Sequence, residues 1–152
     1  MNQQPIQLIA PLHPTFDDLD VGGIVYNPNY MIYCDRARND FYASRGEHVM
    51  RMMEKDIVFA VVACELKYQK PLFLESYKMI TRLTGSSDKC LFFEHAIADP
   101  ALPDHDLAAP ALEKVPDLRF FARYTLVCVS LQRKASQIIP EDFRLAVTGA
   151  GK

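Results

Sequence analysis

The chain has 152 residues, 49% of them hydrophobic and 24% charged, with a formal net charge of -2 at pH 7. A chain of that length is most simply one domain spanning residues 1–152, long enough to bury roughly two-thirds of its unfolded surface. The slightly acidic balance gives no electrostatic reason to expect nucleic acid or an anionic membrane as partner, so a phosphate-bearing ligand would need a local basic patch.

In chain order, Ile6 to about Leu12 reads as a short strand closed by Pro11 and Pro14. A loop from Thr15 to Pro28 follows, dense in acidic and glycine turn signals. Met31 to Gly46 reads as an amphipathic helix, because Tyr30, Tyr33, Cys34, Ala37 and Phe41 recur at three- and four-residue steps while charged residues fill the gaps. Asn29 is the predicted N-cap and Gly46 the predicted stop. Ile57 to Tyr68 is β-branched and apolar on both faces, the pattern of a central strand. Ser76 to Gly85 alternates Tyr77, Met79 and Leu83 against Lys78, Arg82 and Thr84, and the turn Gly85 to Asp88 leads into Lys89 to Ala98 as a hairpin.

Asp99 to Pro116 carries four of the ten prolines and reads as an extended surface connection. Leu118 to Arg133 is a long strand, with Phe120, Tyr124, Leu126 and Cys128 on one face and Phe121, Val127, Val129 and Leu131 on the other. Glu141 to Val147 after Pro140 reads as a last helical turn. One helix set among antiparallel strands predicts an α+β architecture, a helix lying on one curved sheet.

Cys34, Cys64, Cys90 and Cys128 are widely spaced in apolar segments, with no C-x-x-C pair, and are expected to be buried reduced thiols. Met1 to Pro14 has no basic region followed by an apolar one, and the longest apolar run, Ile57 to Cys64, is too short to span a bilayer. Together these predict a cytoplasmic protein with no membrane span. His13, His48, His95 and His105 show no metal-ligand spacing, so neither a metal nor another cofactor is expected. There is no Gly-x-Ser-x-Gly elbow, and Gly22-Gly23 lacks dinucleotide or P-loop spacing.

The segment Asp18-Leu-Asp20-Val-Gly22-Gly23-Ile-Val-Tyr26-Asn27-Pro-Asn-Tyr30 sets a carboxylate and two glycines just ahead of a helix N-terminus. An acid beside unpaired backbone N–H groups suits acyl transfer, where one group drives attack and the other holds an oxyanion. Loop aspartates more commonly shape turns, the role assigned to Asp18.

With the Asp35-Arg-Ala-Arg38 run, Glu65-Leu-Lys-Tyr68-Gln-Lys-Pro71, the Leu126-Val127 strand and Ile139-Pro140, this segment resembles the 4-hydroxybenzoyl-CoA thioesterase family of the hotdog fold, across most of residues 12–147. The resemblance implies hydrolysis of an acyl-CoA thioester, with Asp20 as catalytic carboxylate and the Asn27 N–H polarising the carbonyl. Gly22, Gly23, Tyr26 and Tyr30 would border the substrate, the tyrosines chiefly as packing. Lys89, Arg133 and Lys134, near the ends of adjacent strands, would meet the coenzyme A phosphates. It also implies a homodimer with sites at the interface, and a dimer of dimers as a further option. Two other readings stay open: a non-catalytic acyl-CoA-binding module, and a hotdog hydratase or dehydratase. The 99–116 connection is longer than the short turn usual in relatives.

Overall fold

A computed structural model describes residues 4–149. The elements run β1 (Ile6–Leu12), α1 (Asn29–Ser44), α2 (Val49–Glu54), β2 (Val58–Tyr68), β3 (Tyr77–Ser86), β4 (Cys90–Ala98), β5 (Phe120–Ser130), β6 (Ala135–Ser136) and α3 (Glu141–Thr148). Single 3₁₀ turns lie at Phe16–Asp18, Asp106–Ala108 and Leu112–Lys114. All strand pairs are antiparallel, in the order β1-β3-β4-β5-β2, with β6 added to β5.

The predicted helix begins two residues early, and its cap differs from expectation. Pro28 holds the cap position at φ -62°, ψ -24°, already helical, and has no N–H to leave unpaired. Asn29 is the first helical residue, and its amide donates back to the Asp18 carbonyl at 2.9 Å. At the other end Gly46 takes φ +81°, the left-handed conformation that stops helices.

The inner face of the sheet carries α1. Tyr33, Cys34, Ala37 and Phe41 form one cluster with Phe93, Phe120, Tyr124, Leu126 and Cys128, matching the predicted inward alternation of β5. Aromatic rings set the spacing, with Phe41 edge-on to Phe93 at 5.4 Å.

Two expectations about position fail. Ile57 to Tyr68 reads as a central strand, yet β2 is the sheet edge, and Ala60 through Glu65 are exposed. Strand periodicity reports which faces are apolar, whereas edge or centre is decided by partners distant in sequence. Cys64 sits on that edge and is exposed, and Cys90 is half-buried; only Cys34 and Cys128 are buried as expected.

The 99–116 connection is not merely an extended surface run. Leu107, Leu112, Val115 and Leu118 pack on Ile80, Ala96, Ala98 and Phe121, closing a second hydrophobic cluster on the outer face. Arg82 is buried beneath this strap and donates to the carbonyls of Leu107 and Ala109, both at 2.8 Å, and to Gln7. Lys78 holds Leu102 O and Asp104, while Glu113 pairs with Lys67 and Arg123. Among the described residues no helix is long and apolar enough to cross a membrane.

Candidate active site

The site loop starts with a reciprocal cap. Thr15 N–H donates to Asp18 Oδ2 at 2.9 Å, and the Thr15 hydroxyl reaches the same oxygen at 3.2 Å. The chain then doubles back. Leu19 bridges Val25, Asp20 N–H donates to Ile24 O at 2.9 Å, and Gly23 N–H donates to Asp20 O at 3.0 Å. This tight return explains both glycines. Gly23 has φ +76°, a region where a side chain is strained. At Gly22 an added Cβ would stand 3.1 Å from Asp20 Oδ1.

Asp20 is exposed, and its Oδ1 accepts from Gly22 N–H at 2.7 Å. One oxygen is thus held by the loop backbone; the second has no protein donor among the described residues. The Asn27 N–H likewise donates to no acceptor among the described residues. Its peptide is polarised from the other side, because the Tyr26 carbonyl accepts from Asn29 N–H at 2.9 Å. The Asn27 carbonyl takes Tyr30 N–H at 3.3 Å and the Tyr68 hydroxyl at 3.2 Å, tying the helix start to the end of β2. Asp20 lies opposite Ile24, and the three residues from Ile24 to Asn27 reach at most about 11 Å beyond that pairing.

Tyr30 is 3% exposed, edge-on to Tyr68 at 4.9 Å, and its hydroxyl accepts from Leu72 N–H at 3.2 Å. It packs in the core behind the helix start, with its polar end already occupied. Tyr26 is 56% exposed at the loop rim, and Val21 at the tip is fully exposed.

Lys89, Arg133 and Lys134 lie together but away from Asp20. Lys89 contacts Ser136, Arg133 contacts Gln137, and both residues flank the Ser130 end of β5, whereas the site adjoins the Phe120 end. Ten strand residues, roughly 30 Å, separate the two ends. Within one chain these cations and Asp20 do not share a site.

Sequence reasoning missed the polar group beneath α1. Arg38 Nη1 lies 3.0 Å from His95 Nε2, and Thr81 Oγ1 lies 3.3 Å from Nδ1. A guanidinium only donates, so Nε2 must accept and the proton must sit on Nδ1. Desolvation, then the Arg38 charge, holds the imidazole well below its ordinary value of 6.5. Arg38 also pairs with Asp35 and lies over the Tyr124 ring at 4.3 Å. In the sequence Arg38 falls among the charged residues off the apolar stripe of α1, yet it is buried, because its partner lies 57 positions away.

Two cavities flank α1. One of about 210 Å³, toward β1 and β3, is lined by Leu8, Tyr33, Met79, Asp18 and Arg36. The other, about 300 Å³, opens toward β2 and α2 and is lined by Asp35, Arg38, Tyr42, Phe59 and Val61. Asp20 lines neither. Among the described residues no three His, Cys, Asp or Glu side chains group so as to hold a metal.

Comparison with known proteins agrees with this architecture. An acyl-CoA thioester hydrolase, YbgC, of Escherichia coli O6:H1 is 26% identical over 90 residues, 59% of this chain and 67% of that protein. A DHNA-CoA thioesterase from Staphylococcus aureus superposes with a TM-score of 0.77 at 19% identity, covering 94% of this chain and 89% of its own. A mutant 4-hydroxybenzoyl CoA thioesterase, complexed with 4-hydroxybenzoyl CoA, gives a TM-score of 0.74 at 18% identity, with 93% and 98% covered. These superpositions show the hotdog fold. The model of the thioesterase-like superfamily matches residues 14–147, nearly the whole span between β1 and the end of α3, and the chain belongs to that superfamily.

Proposed function

We propose that this protein hydrolyses acyl-CoA thioesters to a free carboxylic acid and coenzyme A, with Asp20 as the reacting carboxylate and the Asn27 N–H as oxyanion donor. The observation that carries the reading is the pairing of two uncommitted groups on one braced loop: a carboxylate pinned through one oxygen and an amide hydrogen without an acceptor. The start of the 16-residue α1 adds a positive dipole end where negative charge develops on the thioester oxygen. Asp20 acts either by attacking the acyl carbon, giving a mixed anhydride and coenzyme A thiolate that water then resolves, or by taking a proton from a water that attacks directly. Both routes consume one water and release one thiol.

The active form is a homodimer. The exposed β2 edge, the fully exposed Val21 tip and the β2-side cavity leave apolar surface for a second copy. Antiparallel pairing of two β2 edges about a two-fold axis carries the Lys89–Arg133–Lys134 end of each chain toward the Asp20 end of the other, so those cations meet the coenzyme A phosphates across the interface. The strap covers the outer face over Ile80, Ala96, Ala98 and Phe121, while Phe92 toward the other end of β4 stays 37% exposed.

The test is free-thiol release from a panel of acyl-CoAs by the wild type and by Asp20→Asn. Turnover by the wild type with a loss on the order of 10²–10⁴-fold in the variant supports the assignment. Equal turnover removes Asp20 from the mechanism. Acyl-CoA binding with no thiol release by the wild type makes the chain a carrier or sensor.

A further inference from the structure

Four hydrogen bonds converge on Asp18, a residue the chemistry above does not use, and the Thr15 hydroxyl, whose one proton has a closer acceptor in Asp17 Oδ1 at 2.6 Å, lies 3.2 Å away. Its Oδ2 accepts from Thr15 N–H at 2.9 Å and from the Tyr33 hydroxyl at 2.7 Å. Its carbonyl accepts from Tyr26 N–H at 2.9 Å and from the Asn29 side-chain amide at 2.9 Å. Tyr33 belongs to the second turn of α1 and is 4% exposed, so its ring is fixed in the core and its hydroxyl is a rigid post. Asp18 therefore touches three pieces at one residue: the strand-side start of the loop, its return limb and the body of the helix, which it reaches through Tyr33 one turn beyond the contacts at the helix start. The residues between these anchors are Leu19 to Asn27, which include both reacting groups.

We propose that Asp18 and Tyr33 form a positioning clamp that holds the Asp20 carboxylate and the Asn27 N–H in register on opposite limbs of the loop. The proposal rests on the hydrolytic reading given above. Asp20 is set by the outgoing limb and Asn27 by the returning one, and the Leu19–Val25 bridge that links the limbs is made by Asp20 N–H to Ile24 O and by Tyr26 N–H to Asp18 O, so Asp18 supplies half of it. With Asp18 anchored to α1 through both its carboxylate and its carbonyl, movement of one limb against the other is resisted by the helix itself. The contact to Tyr33 is charge-assisted. Desolvation acts against the Asp18 carboxylate, but hydrogen bonds from Thr15 and Tyr33 outweigh it and hold the group below its ordinary value, so it is ionised at neutral pH.

The experiment combines steady-state thiol release with amide hydrogen exchange on the full chain. Tyr33→Phe keeps the ring in the core and removes only the hydroxyl, so it is the variant least able to disturb folding. It is expected to lower kcat about 10-fold with KM within about two-fold, the pattern of an interaction that matters at the transition state. Asp18→Ala is expected to lower kcat about 100-fold, the scale of a misplacement near 1 Å. Asp18→Asn retains an oxygen for Tyr33 and should fall between them. The double variant Asp18→Ala/Tyr33→Phe should be no slower than Asp18→Ala alone, because Tyr33 acts through Asp18. Amides of residues 19–28 should exchange faster in Asp18→Ala and Tyr33→Phe while those of β4 and β5 keep their protection.

Additive losses in the double variant, a raised KM with unchanged kcat, or unaltered exchange at residues 19–28 would each overturn the clamp. The exchange readout stands apart from catalysis, so it tests the clamp even if the wild type releases no thiol. Loss of turnover in Asp20→Asn beside normal turnover in Asp18→Ala would defeat the clamp and leave the hydrolytic reading intact.

Discussion

The outer face of the sheet and the β2 edge are both apolar, and the molecule treats them in opposite ways. On the outer face the strap lays Leu107 and Leu112, both fully buried, over Ile80 and Phe121. The buried Arg82 guanidinium beneath it satisfies strap carbonyls that would otherwise lack donors. Along β2, by contrast, Val61 and Val62 are 43% and 58% exposed and the outer row of backbone groups is unpaired. The same pattern of open and closed recurs in polar groups: Arg82 is fully engaged, while the Asn27 N–H and one oxygen of Asp20 are not. Closed surfaces here hold the fold together, and open ones are where a substrate and a second chain are expected.

Substitutions on the two sides should therefore fail differently. The largest effect is expected on the open side, where Asp20→Asn lowers thiol release by about 10²–10⁴-fold with urea midpoints unchanged; a matching loss of stability would blur the distinction. On the closed side, Leu107→Ala should cost about 2–5 kcal/mol in urea unfolding while activity per folded molecule stays at the wild-type value. Gly23→Ala on the open loop is smaller, about 1–2 kcal/mol, because the left-handed φ of +76° strains any side chain there.

The pH dependence sharpens the comparison from the core. The folded protein keeps His95 neutral well below 6.5, whereas the unfolded chain takes up the proton near that value. Its contribution is whole above pH 6.5 and declines as pH falls from there toward the lower folded value. Urea midpoints of the wild type should drop across that window, and His95→Gln should flatten the slope. Asp18 acts lower, its contribution present above the ordinary 3.8 and lost as pH falls through its depressed folded value.

Much of this was legible in the chain. The three- and four-residue spacing of Tyr30, Tyr33, Ala37 and Phe41 marked α1, and the alternation around Tyr77, Met79 and Leu83 marked β3. Asp20, Gly22 and Gly23 could be singled out because the turn, the acid and the helix start are all local. What escaped depends on contacts distant in sequence. The edge position of β2 follows from its pairing with β5, and an apolar strand reads the same whether its second face meets its own chain or another. The strap escaped because its 3₁₀ turns are three residues long, too short for periodicity, although Leu107, Leu112, Val115 and Leu118 at steps of three to five were a usable signal. α2 is only six residues and left a similarly faint trace. Lys89 and Arg133 could be placed near strand ends from sequence, but which end they occupy relative to Asp20 required the strand order.

Cys64 gives the open edge its own reporter. It is the one exposed thiol among the described cysteines, on a strand whose second side is unpaired within the chain, while Cys90 is half-buried, Cys34 and Cys128 lie in the core and burial pushes Cys34 up to about 12. Alkylation kinetics at this single sulfur, followed across protein dilution, should track how much of the population has its edge uncovered, without any label being introduced.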